Sequence, residues 1–343
     1  MAEPVNSSDS ANGSGGPSPP DHGLPPVEPP SARFILQLFV VPAVIVILIV
    51  MVWMLFNWLA QMGSDPTKYV AALRSNSKAR WQAAASLADI LNDKRNVELK
   101  RDPRLAQDLA SLLTDELKEP NEGEEQEMLE IYLCRALGEF SVPEAVPALL
   151  EAAARTRPED IAVRRAALEG LTVLASHLAI AETPYEAQVD QALASAASDQ
   201  DAQIRSVAAF ALGVLGDKAS LEHLRQMLSD TYPDVRYNAA TGLARCHDAA
   251  GMEVILEMLD PEEQKSLKLE SAEESREFKR ALIAENGLQA ALALFEHLPE
   301  ADRRKLHEAI ERLADKEQPA DIRLKATEVL RRLDEGSVKA PAA

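Results

Sequence analysis

Cys246-His247-Asp248 sets a thiol, an imidazole and a carboxylate side by side, the groups that elsewhere serve as nucleophile, base and orienting acid. Consecutive residues at a helix end point in different directions, so the string does not read as a triad. His307-Glu308-Ala309-Ile310-Glu311 begins like the helix of a zinc protease but lacks its second histidine. His177, His223 and His297 stand alone. Cys134 and Cys246 are too far apart for a metal knuckle or a disulfide framework, and both fall in helical register with apolar neighbours as small core residues. No glycine-rich loop opens a helix to cradle phosphate, and there is no nucleophile elbow. The reading is therefore of a non-enzyme, with no catalytic, cofactor-binding or metal-binding residue expected.

The elements that hold these residues repeat along the chain. Ile204-Arg205 is followed by Ala208, Ala209, Ala211, Leu212 and Leu215. The same spacing recurs after Ala79-Arg80, Val163-Arg164, Val235-Arg236 and Ile322-Arg323, and more weakly after Leu129 and in 273–296. With the first apolar residue of each copy numbered zero, apolar residues fall at 0, 4, 7, 8 and 11, one face of an α-helix. The small residues at 4, 5 and 7 let a neighbouring helix approach. A second amphipathic stretch precedes each copy, for example Ala145–Ala154, Ala187–Ala197 and Leu221–Leu228. One unit is thus a hairpin of helix A and helix B. A lone hairpin cannot bury its apolar face, so about seven of them must stack into an all-α solenoid over residues 65–335. A disordered tail is expected at 336–343.

The stretch Asp201–Leu215 resembles the HEAT repeat, an armadillo-like helical repeat, in the variant named from phycobilisome lyases. The resemblance implies an α-α superhelix that binds other proteins. It also implies a structural ladder between repeats, made here by Arg164, Arg205, Arg236 and Arg323 with Asp160, Asp201, Asp234 and Asp321. In such solenoids helix B lines the binding surface. Positions 2 and 6 of helix B point away from the core. Large apolar residues stand there at Trp81, Ile131, Phe210, Tyr237 and Leu324, with Arg165 as a polar anchor. These six are the expected partner-binding residues.

Phe34 to Met62 contains no charged residue, which is long enough to cross a bilayer once, since a crossing takes roughly 20 residues. The run is too long for a signal peptide, its preceding segment is acidic, and no small-residue cleavage site follows. A transmembrane helix is expected at 34–62, after a disordered Pro/Ser/Gly-rich tail at 1–33. Arg33 precedes the span, whereas Lys68, Arg74, Lys78 and Arg80 follow closely. The bias of basic residues puts the solenoid on the cytoplasmic side, with a bacterial inner membrane the expected setting.

The net charge of −19 is unevenly spread: −3 over residues 1–33, +4 over 65–101 and −20 beyond. Lys68, Arg74, Lys78, Lys94 and Arg95 are candidates to touch anionic lipid headgroups. The acidic body argues against nucleic acid as a partner. The leading expectation is a single-pass membrane scaffold whose solenoid binds a protein of unspecified identity. Two alternatives stay open: a lyase or chaperone-like subunit, implied by the family resemblance, and a structural component of a membrane complex.

Overall fold

A computed structural model describes residues 32–62, 66–74, 80–118, 123–262, 264, 267, 272–316 and 318–339. Every regular element among these residues is helical, and the chain divides into two units, Met1–Ser64 and Asp65–Ala343.

The first unit contains one described helix, α1 (Ala32–Met62), which starts two residues before the expected span. Its stretch Leu36–Phe56 has a mean hydropathy of 3.1 and none of it is buried against protein. At 1.5 Å per residue these 21 residues extend about 31 Å, the thickness of a bilayer core. By length and composition α1 is able to cross a membrane. Pro42 lies within it. The tail expected at 1–33 falls, up to residue 31, outside the described residues.

The second unit is the expected solenoid. Among the described residues it forms seven hairpins, beginning with α2 (Pro66–Leu73) and α3 (Arg80–Asn92), α5 (Pro103–Lys118) and α6 (Glu124–Gly138), and α7 (Val146–Ala153) and α8 (Ile161–His177). Then come α9 (Glu186–Ala197) with α10 (Ala202–Leu215), α11 (Lys218–Met227) with α12 (Pro233–Arg245), α13 (Met252–Leu259) with α14 (Glu273–Leu294), and α15 (Glu300–Leu313) with α16 (Ala320–Lys339). A single turn, α4 (Val97–Lys100), joins the first two. The B helices α3, α6, α8, α10, α12, α14 and α16 stack in series as one layer. In the second layer α5, α7, α9 and α11 pack in series, and α13 packs on α15.

Small residues set the spacing of the B layer. A Cβ on Gly138 would lie 2.7 Å from the Gly170 Cα, and one on Gly213 would lie 2.6 Å from the Gly242 Cα. Two such glycine crossings bring α6 onto α8 and α10 onto α12 closer than any other residue allows. Local signals end the helices: Asp201 accepts from the backbone N–H groups of Gln203 and Ile204, and Gly216 closes α10 in the left-handed region at φ 65°. The core forms one seam from Leu73 to Leu243 and a second from Ala240 to Leu333.

One boundary needs correction. The tail expected from residue 336 is helical as far as Lys339, with 340–343 outside the described residues. Arg331 donates to Glu335 at 2.6 Å and to Glu328 at 2.8 Å, ion pairs that carry α16 one turn beyond its last core residue, Leu333.

Candidate functional site

The ladder between repeats exists, but its partners are not the expected ones. Arg205 on α10 makes a paired contact with Asp230, at 2.7 and 3.0 Å, beyond the end of α11 in the next hairpin. The same guanidinium donates to the Asp199 and Gln200 carbonyls of its own hairpin's turn. Arg236 on α12 repeats the pattern, reaching Glu257 on α13 at 3.1 Å and the Asp230 carbonyl at 3.0 Å. Arg164 pairs with Asp199, and Arg80 with Glu116 at 2.5 Å while holding the Leu73 carbonyl. Arg323 donates to carbonyls of its own turn, those of Lys316 and Gln318. Arg80, Arg205, Arg236 and Arg323 therefore tie down their own A–B turns, and Arg80, Arg164, Arg205 and Arg236 bridge to an acid of the following hairpin.

The aspartates assigned to this ladder do other work. Asp201 caps α10, because a carboxylate just before a helix meets the free N–H groups of its first turn. Asp234 accepts from Lys279 at 2.9 Å. Asp160 takes a paired contact from Arg157 at 2.9 and 3.0 Å, and Asp321 is exposed in the first turn of α16. The acids that close the rungs were legible in part: Asp199 and Asp230 both stand five residues before the zero position of their hairpins.

One rung is reversed. At position 1 of α6, where α3, α8, α10, α12 and α16 carry arginine, stands Glu130, and across from it past the end of α7 stands Arg155. Arg155 lies 3.8 Å from Glu130 and 3.1 Å from Asp160, and donates to the Leu117 carbonyl. Both acids are only 1% exposed. Burial is the main force that pushes the Glu130 carboxyl up to about 7, with Asp160 and Glu116 adding to it and a hydrogen bond from Gln126 opposing it.

The six expected partner-binding residues divide. Phe210 is 43% exposed and Leu324 72% exposed, both outward as expected. Phe210 sits beneath the Arg245 guanidinium, 5.8 Å from its centroid, at the edge of a groove of about 270 Å³ that includes Asn238, Thr241, Asn286 and Gln289. Arg165 faces a neighbouring groove, where it donates to Gln203 at 3.2 Å. Trp81 and Ile131 are half-buried, and Trp81 stacks on Tyr132 at 6.2 Å. Tyr237 is a correction: it is 5% exposed, because its ring joins a small core with Met258, Leu267 and Ile283 while its hydroxyl donates to Glu257 at 2.8 Å. Phe278 (73% exposed) and Leu282 on α14 are outward apolar residues that the repeat register did not mark. Their helix is longer than the other B helices described and its pattern is diverged.

The candidates for lipid contact are partly engaged with the protein itself. Arg74 pairs with Asp108 at 2.6 Å, and Arg95 folds back onto Asp93 at 2.5 Å, holding that carboxyl down to about 2. Lys68 and Lys94 are exposed, and Lys78 lies outside the described residues. The Cys246-His247-Asp248 string diverges as expected. Asp248 takes Arg225, while His247 turns its Nδ1 to the Ala293 carbonyl at 3.1 Å and its ring to His297. Cys134 is buried, which raises its thiol far above the usual range. No group of three or more metal-binding side chains occurs among the described residues.

Residues 189–274, from α9 into the start of α14, match the family model of HEAT repeats. No curated protein matches the sequence. Among solved structures the chain is similar to the archaeal HEAT-like repeats protein from Thermococcus onnurineus NA1, with 16% identity over 79% of this chain and 97% of that one, at a TM-score of 0.43. It is also similar to the CpcE and CpcF complex of phycocyanin lyase from Nostoc sp. PCC7120, at 19% identity, 78% and 94% coverage and a TM-score of 0.36. A designed armadillo repeat protein gives 16% identity, 73% and 99% coverage and a TM-score of 0.36.

Proposed function

We propose that this protein is a membrane-anchored scaffold: α1 spans the bilayer, and the outward face of the B layer binds a segment of another protein and holds it at the membrane. The observation that carries the reading is Phe210. It is a large apolar side chain left half-open in a groove whose other walls are the amides of Asn238, Asn286 and Gln289, the Thr241 hydroxyl, the Arg245 guanidinium and two alanines, Ala290 and Ala293. An apolar anchor ringed by groups that both donate and accept hydrogen bonds suits a peptide segment, whose backbone offers both. Covering the open part of such a ring is worth about 1–2 kcal/mol, so several such contacts along the face are needed for stable binding. The basic residues Lys68, Arg74, Lys78 and Arg80, against Arg33 alone before the span, support a cytoplasmic solenoid, and the setting proposed for it is a bacterial inner membrane.

The test is a photo-crosslinking amino acid placed at residue 210 in growing cells, with one at Gln226, exposed on α11 of the other layer, as control. A defined adduct from 210, absent from 226 and retained in the alkaline-washed membrane fraction, is the expected result. Equal labelling from both positions, or recovery of the protein in the soluble fraction, overturns the reading.

A further inference from the structure

The reversed rung differs from the others in more than sign. In an ordinary rung one guanidinium serves one acid of the next hairpin, with the two side chains mostly covered, as in Arg205 with Asp230. In the reversed rung two acids compete for the cations. Asp160 takes Arg157 through two hydrogen bonds and Arg155 at 3.1 Å, which leaves Glu130, among the described residues, the more distant contact with Arg155, one hydrogen bond of 3.3 Å from Gln126 and the weaker field of Arg157. The groups facing Glu130 come from every neighbouring element. Gln126 and Cys134 lie on its own helix. Glu116, itself held by Arg80 of α3, comes from α5, and Arg155, Arg157 and Asp160 come from the connection between α7 and α8. A charged carboxylate in such a place is under-compensated, whereas a neutral carboxyl is not. Beside it, between Leu117, Lys118, Arg155, Thr156, Arg157 and Asp160, opens a cavity of about 530 Å³, room for Arg155 to turn and for water to follow.

We propose that the junction of the second and third hairpins is a proton-operated joint. With Glu130 neutral, Arg155 rests on Asp160 and the connection 154–160 is closed; loss of the Glu130 proton draws Arg155 toward α6 and loosens that connection. Glu130 titrates close to neutrality, so the joint responds between mildly acidic and mildly basic conditions. The rung of Arg205 does not, since the Asp230 carboxyl is held below its usual range by that guanidinium.

The experiment is hydrogen–deuterium exchange of the full chain in detergent micelles at pH 6 and pH 8, corrected for the intrinsic rate, with residues 229–233 as internal reference. For an acid near 7 in the closed state and an ordinary glutamate in the open one, opening is on the order of tenfold more frequent at pH 8. The expected result is that fall in protection at 154–160, no fall at 229–233, and no fall anywhere in Glu130→Gln. Persistence of the fall in Glu130→Gln, or equal protection at both pH values in the unaltered protein, overturns the proposal. Should Glu130→Gln fail to fold, infrared titration of the unaltered protein decides. A protonated carboxyl band present at pH 6 and gone by pH 8 supports the joint, and its absence at pH 6 overturns it.

Discussion

The rung between the fourth and fifth hairpins and the rung between the second and third hold the same place in the repeat with opposite charge. Arg205 extends from α10 to Asp230, and Glu130 extends from α6 to Arg155. The first is a matched pair whose acid is held below its ordinary value by the guanidinium. The second leaves a buried carboxyl whose proton is retained to about pH 7. The two therefore respond to pH in opposite senses. Asp230 is depressed, so its stabilisation is present above the ordinary aspartate range and lost as pH falls through the folded value. Glu130 is raised, so its contribution is full below the ordinary glutamate value and is lost as pH rises through about 7. A repeat thus conserves geometry while the order of two charges decides what each junction senses.

The largest effect that sharpens this contrast is Arg205→Ala. It leaves Asp230 mostly covered without its cation and frees two turn carbonyls, so urea unfolding at pH 7 should show a loss on the order of 3 kcal/mol. Next is Gly213→Ala, whose new methyl meets the Gly242 backbone and prises α10 from α12. A loss of about 2 kcal/mol is expected from that clash, whereas at Gly123, where a Cβ meets nothing within 4 Å, a loss of about 1–3 kcal/mol comes from the backbone angle of 129° alone. Glu130→Gln reverses the sign: little change in unfolding midpoint at pH 5, and a midpoint above that of the unaltered protein at pH 8, where the native glutamate is charged. Smallest is Arg331→Ala, an exposed pair at the end of α16, for which the thermal midpoint should stay within error while helicity beyond Leu333 falls. If Arg205→Ala and Glu130→Gln shift stability alike at both pH values, the two rungs are equivalent and the contrast is broken.

The architecture was legible because helical periodicity and small residues recur at fixed offsets. A stack of about seven hairpins followed from residues such as Val163, Ile204 and Val235, all of which are buried. The outward face was legible at Phe210 and Leu324 but not at Tyr237, whose position in the repeat matches Leu324. A helical offset gives direction from the helix axis, not what the next hairpin places there. For Tyr237 the neighbour supplies Met258, Ile283 and the Glu257 carboxylate, while Leu324 sits on the last described hairpin. The arginines were marked as structural from their place in the repeat, yet their partners lie 21 to 36 residues away in the following hairpin.

The sequence by itself determined an all-α stack, the approximate number of its hairpins, the apolar helix that precedes it and the arginine carried by most of its B helices. Those properties depend on local spacing and side-chain type, which a linear chain states directly. The tertiary structure alone decided which acid each arginine meets, that Tyr237 is covered, and that Glu130 stands reversed and nearly dry beside Asp160. Such properties depend on which groups from separate hairpins are brought within a few ångströms and how much water is left between them. Periodicity sets where each helix turns its faces, but only packing sets the dielectric around a charge.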